Sequence, residues 1–269
     1  MDIVIKRGEI ISAALRSLVS QRYKRVTHAI NQEFWHSDSD TAHSLYVGSY
    51  GRGTAIDTSD IDILVELPEE EYKRYDALKG NGQSRLLQAV RQAILATYPR
   101  SNVRGDGQVV VIDFSDGMKF EILPAFRQLD WFGEWNGKYS YPDSNLGGKW
   151  LTTDPKSEQS AMKSRNIESN GLLFDTCKHM REIRDNHFGS YHLPGIVIDS
   201  YAYHYINGWH WLRDGEQPSD KPRGTYEKQL YTSCPPWTFS LSAPGSEMLV
   251  NTHKCVDVLY KVLNYMSKE

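Results

Sequence analysis

The chain has 269 residues, 39% of them hydrophobic, 24% charged and 12% aromatic, with a formal net charge of −3. This composition excludes an intrinsically disordered chain, and no run approaches the ~18 consecutive apolar residues of a membrane-spanning helix. The near-balanced charge gives no strong nucleic-acid signal, and three widely spaced cysteines (Cys177, Cys234 and Cys255) do not make a disulfide framework, which points to a reducing cytoplasm. The opening MDIVIKRGEIISAALRS has charges inside its apolar part and no small-residue cleavage site, so it does not read as a secretory signal.

An N-terminal helix is predicted from Ile11, Leu15, Leu18, Val26, Ile30 and Phe34, which recur at three- and four-residue steps and share one face. Lys6, Arg7, Arg16, Arg22, Lys24 and Arg25 make it locally basic, but interspersed Asp2, Glu9 and Glu33 favour a solvated surface over a nucleic-acid face. The stretch SLYVGSYGRGTAIDTSDIDILVELP reads as a strand (Leu45–Val47), a glycine-rich turn and a second strand (Ile61–Leu67) stopped by Pro68. Asp57, Glu66, Glu69, Glu70 and Glu71 around it read as solvated surface. Residues 83–98 have helical spacing and end at Pro99. QVVVIDF and MKFEILPAF, joined by Ser115-Asp116-Gly117, predict a β-hairpin. Residues 141–155, with two prolines and two glycines, read as a hinge into a second lobe. There, 157–186 and 196–212 are helical, the Pro- and Gly-rich 213–245 is a long loop, and Ser246 caps a last helix with Leu249, Val256, Leu259, Leu263 and Met266 inward. An α+β sheet domain over residues 1–150 and a largely helical lobe over 151–269 follow from this pattern.

The chemistry concentrates in GSYGRGT (48–54) and SDIDILV (59–65). Asp60 and Asp62 stand at the start of an apolar strand, where period two sends both carboxylates to one face, about 6–7 Å apart at Cα. Two like charges there are costly unless a cation lies between them. Hard oxygen ligands at that spacing suit Mg²⁺, which shares substrate phosphate oxygens, and paired divalent ions recur in in-line displacement at phosphorus. Gly48, Gly51 and Gly53 permit positive φ and a close backbone approach, so that successive amides cradle an anion. Ser49 adds a donor, and Arg52 matches phosphate oxygens bidentately. A third carboxylate comes from Glu121, mid-strand in FEILP, with Asp113 on the partner strand as the competing candidate. Cys177, His179, His187 and His192 lack zinc spacing. The run Tyr201, Tyr203, Tyr205, Trp209 and Trp211 reads mostly as core.

Gly48-Ser49 followed by Asp60-x-Asp62 resembles the signature of the DNA-polymerase-β-like nucleotidyltransferase superfamily. The fuller string GSYGRGTAIDTSDIDILVELP, with FEILPAF downstream, resembles the bacterial cGAS/DncV-like nucleotidyltransferases (CD-NTases), relatives of animal cyclic GMP–AMP synthase and of oligoadenylate synthetase. The resemblance implies a polymerase-β-like catalytic sheet lobe with its N-terminal helix (1–150) and a helical lobe of oligoadenylate-synthetase type (151–269). It implies two Mg²⁺ ions, or Mn²⁺ in their place, held by Asp60 and Asp62, with Glu121 on one of them. It implies nucleotide contacts from Gly48, Ser49 and Arg52, and from Lys178 and Ser200 in the helical lobe. Glu121 stands where the family most often has aspartate, and His204 where it usually has glutamate. The implied reaction is attack of a ribose hydroxyl on the α-phosphorus of ATP, GTP or another NTP, with loss of pyrophosphate, repeated and closed into a cyclic oligonucleotide. Such a product is a second messenger of antiphage defence that acts on a separate effector. A regulatory protein partner follows only by analogy. Transfer of one nucleotide to RNA, protein or a small molecule, and non-catalytic nucleotide binding, are the competing functions. The helical-lobe likeness opposes the first, and the charge repulsion of Asp60 and Asp62 opposes the second.

Overall fold

The computed structural model describes residues 11–57, 60–246 and 248–269. Lys6 and Arg7 of the basic stretch, and Ser59 of the aspartate motif, lie outside the described residues. The chain divides into two compact units, one formed by Ile11–Gly51 with Ser59–Pro155, the other by Arg52–Thr58 with Lys156–Glu269.

In the sheet unit, helix α1 (Ala13–Ile30) is N-capped by Ser12, whose hydroxyl accepts from the Leu15 amide at 3.2 Å. The helix loosens into a π-turn at Asn31–Trp35 and stops at His36, whose φ is +50°. Then follow β1 (Ser44–Tyr46), the one-turn α2 (Gly48–Gly51), β2 (Ile61–Glu66), α3 (Glu69–Asp76) and α4 (Gly82–Thr97). Five strands complete the unit: β3 (Asn102–Asp106), β4 (Val109–Asp113), β5 (Lys119–Leu129), β6 (Trp135–Asp143) and β7 (Lys149–Thr153). The sheet runs β1-β2-β5-β4-β3, and the long β5 also carries β6 and then β7. β2 and β5 are parallel, and the other pairs are antiparallel. Alternation sorts the faces: Ile61, Ile63 and Val65 of β2, with Phe120 and Ile122 of β5, join the core formed with α1 and α4. Leu64 and Ala125, on the opposite face, join a smaller cluster with Val47 and Tyr139.

Several expectations change here. Residues 141–155 are not a loop. Tyr141 pairs with Leu151 and Pro142 with Trp150 across β6 and β7, so most of the expected hinge is sheet. The acidic stretch after Pro68 opens α3: Glu69 and Glu70 are exposed, as expected of solvated surface, and with Glu71 they sit in the first turn, the favourable end of the helix dipole. Glu66 is buried rather than solvated, and its Oε1 lies 2.9 Å from Nε of Arg127.

The helical unit contains α5 (Pro155–Glu168), α6 (Leu172–His187), α7 (Gly195–Tyr205), α8 (Thr225–Ser233) and α9 (Val256–Met266), with a small hairpin of β8 (Ser240–Ser242) and β9 (Leu249–Asn251). The expected helix over 157–186 is two, broken at Asn170 and Gly171, which have φ of +51° and +95°. The expected loop 213–245 contains α8, and α7 stops at Tyr205, short of 212. Ser246 is not a helix cap: α9 begins ten residues later, and Leu249 is exposed on β9. Met180, Ile198, Tyr201, Leu230, Leu259 and Leu263 are fully buried in this unit's core.

Candidate active site

The parallel register of β2 and β5 sets Asp62 directly beside Glu121. One residue before the paired Ile61 and Phe120 stand Asp60, just ahead of β2, and Lys119, the first residue of β5. Period two therefore gives one sheet face two acidic side chains from β2's edge and, from β5, an acid and a lysine. Nζ of Lys119 donates to Asp60 Oδ2 at 2.8 Å and to Glu121 Oε1 at 2.5 Å. Partial burial pulls the Lys119 ammonium down, but the hydrogen bonds and charges of Asp60 and Glu121 outweigh this and leave its pKa above the usual lysine value. Asp113 lies across from Lys119 on β4, where Nδ2 of Asn102 (2.9 Å) and Arg104 engage it.

Gly48 explains the turn next to these acids. Its φ is +57°, and a Cβ built on it would lie 1.8 Å from Asp62 Oδ2. Only a residue without a side chain lets the backbone pass so close to that carboxylate. Val47 fastens the same place from behind, its N–H donating to the Asp62 carbonyl at 2.9 Å. Ser49 follows on α2. Gly51 closes that turn by donating to the Val47 carbonyl at 2.9 Å, without the positive φ expected of it.

Arg52 and Thr54 belong to the helical unit, where both are buried. Nε of Arg52 donates to Asp199 Oδ2 at 2.8 Å, Nη1 donates to Glu158 Oε2 at 2.9 Å, and Thr54 Oγ1 donates to Asp199 Oδ2 at 3.1 Å. Arg181, only 1% exposed, grips the same Asp199 through Nη1 at 2.7 Å and Nη2 at 2.9 Å. Burial pushes the Asp199 carboxyl up, but the charges of Arg181 and Arg52 overcome it and hold the pKa at about 2. Lys178 is partly exposed on α6. Ser200 is wholly buried on α7, and among the described residues its Oγ has no hydrogen-bond partner. Sequence reading missed Lys119, Asp199 and Arg181. Lys119 was within reach, because it stands two residues before Glu121 on one strand.

The residues at Asp60, Asp62 and Glu121 fit a divalent metal by donor chemistry: all offer hard oxygens, and a side-chain cation already bridges two of them. Among the described residues no three His, Cys, Asp or Glu side chains are gathered into a ready metal cage.

Residues 10–166 match the Second Messenger Oligonucleotide or Dinucleotide Synthetase (SMODS) domain. The chain belongs to this family. SMODS enzymes are nucleotidyltransferases that build oligonucleotide second messengers, and that is the activity of this chain. No curated protein sequence matches it. Among solved structures, the Vibrio cholerae dinucleotide cyclase DncV, as a double Asp-to-Ala mutant, superposes with a TM-score of 0.63 at 12% identity, covering 96% of this chain and 86% of that one. The Rhodothermus marinus CdnE c-UMP-AMP synthase with Apcpp and Upnpp gives 0.61 at 14%, covering 92% and 89%. The Bradyrhizobium diazoefficiens CD-NTase CdnG in complex with GTP gives 0.60 at 13%, covering 95% and 84%. At such identities the likeness establishes the fold, the polymerase-β-like arrangement of CD-NTases. Family membership implies divalent metal use in general. Among the described residues no helix is long and apolar enough to cross a membrane.

Proposed function

We propose that Asp60, Asp62 and Glu121 are the catalytic carboxylates of this SMODS enzyme and hold two Mg²⁺ ions, with Mn²⁺ able to replace them. The observation that carries this reading is the β2–β5 register, which sets Asp62 beside Glu121 on one face. Bound there, the ions would lower the pKa of the attacking ribose hydroxyl and offset the charge growing on pyrophosphate. The chain supplies placement. Gly48 brings the backbone against Asp62, and Ser49, next in the chain, binds phosphate oxygens. An Oε of Glu121 takes the hydroxyl proton as the new O–Pα bond forms and the bond from Pα to the bridging oxygen of pyrophosphate breaks. Lys178 is assigned to the triphosphate. Arg52 is committed to Asp199 and Glu158 and is assigned to holding the helical unit together, and Ser200, with no exposed surface, is not assigned to the nucleotide.

ATP, GTP or another NTP is the substrate, and ring closure makes the product resistant to phosphatase. The likeness to bacterial cGAS-like enzymes supports an antiphage role in the cytoplasm, with the messenger acting on a separate effector and a protein partner setting the activity. The test incubates the purified chain with radiolabelled NTP mixtures and Mg²⁺ or Mn²⁺, adds phosphatase and separates the products. Phosphatase-resistant oligonucleotides that vanish in Asp60→Asn and Asp62→Asn support the reading. Label that appears only on added RNA or protein, or turnover untouched by both substitutions, defeats it.

A further inference from the structure

We propose that Lys119 is a built-in counter-ion of the carboxylate cluster, which a divalent ion must displace before it can bind. This rests on the reading of Asp60, Asp62 and Glu121 as metal ligands. The position of the lysine is set by the backbone. Strand alternation puts Lys119 and Glu121 on one side of β5, the parallel register sets Asp62 level with Glu121, and Asp60, one residue before β2, comes within reach of Lys119. Its Nζ lies 2.8 Å from Asp60 Oδ2 and 2.5 Å from Glu121 Oε1, and its side chain is 30% exposed. The acid across from it on β4, Asp113, is already engaged by Arg104 and Asn102, so the ammonium turns to the two proposed ligands.

The ammonium cancels one of the three negative charges and shields two carboxylates from each other. A free divalent ion entering this cluster must break two charge-assisted hydrogen bonds and then meet a nearby positive charge. An ion arriving with an NTP has an advantage, because the triphosphate supplies further oxygen ligands of the kind Mg²⁺ prefers. Lys119 thereby makes metal loading conditional on nucleotide. If the lysine served instead only to bind phosphate, its removal would leave the binding of metal alone unchanged.

The experiment titrates Mn²⁺ into the full-length, nucleotide-free chain and reads free Mn²⁺ by electron paramagnetic resonance. Lys119→Met is expected to bind Mn²⁺ about tenfold more tightly than the parent chain. Lys119→Gln, close in length but neutral, should show the same gain, and Lys119→Arg, which keeps the charge, should not. Circular dichroism verifies that each variant is folded. Affinity unchanged or weakened in both neutral variants overturns the role of Lys119. Asp62→Asn in the Lys119→Met background tests the underlying site separately. Tight Mn²⁺ binding that survives this change refutes the metal-ligand reading. Binding that is weakened by Asp62→Asn but never improved by Lys119→Met or Lys119→Gln refutes only the counter-ion.

Discussion

Asp199 accepts a 2.8 Å hydrogen bond from Nε of Arg52, although 147 positions separate them in the chain. The same carboxylate takes two more bonds from Arg181 and one from Thr54, and it has no exposed surface. One anion thus pairs with two buried guanidinium groups, and Glu158 also pairs with Arg52. Removing one partner of a buried ion pair leaves charge without compensation, at a cost of about 3–5 kcal/mol. Asp199→Asn should lower the unfolding free energy of the helical unit by about that much in urea titrations. A loss below about 1 kcal/mol would mean that the cluster is not holding Arg52–Thr54 in place.

The same residue sets an acid limit. Its carboxyl pKa is held at about 2, below the ordinary value, so folding favours the ionised form. The sign is that of a depressed acid: the contribution is complete above the unfolded pKa of about 4 and drains away as pH falls through about 2. It amounts to about 2 kcal/mol. Thermal melting between pH 5 and pH 2, on the order of the carboxylate range, should fall more steeply for the parent chain than for Asp199→Asn. Parallel slopes would contradict the assignment.

Where local pattern decides structure, the sequence was readable. The helix from Ala13, the hairpin turn at Asp116-Gly117 and the strand that follows Asp60 and carries Asp62 follow from periodicity and turn chemistry. The β6–β7 pair did not, because Gly137, Pro142, Gly147 and Gly148 punctuate it and its pairing along β5 is a tertiary choice. Helix α8 was hidden by the prolines on both sides of it, Pro222 and Pro235. Asp199 sits in an apolar helix start, and its partner Arg52 lies in another part of the chain, so no local signal marks the pair. Lys119 was legible in the sequence, since the alternation that selects Glu121 selects it too.

Gly48 gives a sharper test of the site than the charged residues, because its substitution changes no charge. At φ +57° an alanine is strained, and its Cβ would fall 1.8 Å from Asp62 Oδ2. Either the turn or the carboxylate must move by more than an ångström, a displacement that can cost on the order of a hundredfold in rate. Gly48→Ala should therefore lower kcat by about that factor while the circular dichroism spectrum is kept. Gly133→Ala, at the open β5–β6 turn where nothing lies within 4 Å of the added Cβ, is the control for backbone strain alone. Equal activity in the two variants would show that the close approach to Asp62 has no catalytic consequence.

Glu121 separates charge from reach. Glu121→Gln keeps the length and loses the anion, and it leaves the Lys119 ammonium with Asp60 alone. Turnover should fall by at least about a hundredfold, with NTP affinity changed far less, because the lost interaction matters most as charge shifts in the transition state. Glu121→Asp keeps the anion but withdraws it by one methylene from Lys119, which now holds Glu121 Oε1 at 2.5 Å. Its kcat should lie between those of the parent chain and Glu121→Gln, and steady-state kinetics with Mg²⁺ and with Mn²⁺ would measure it. Should Glu121→Gln retain full activity while Asp113→Asn abolishes it, the third carboxylate would be Asp113, and the β2–β5 register would no longer locate the proton acceptor.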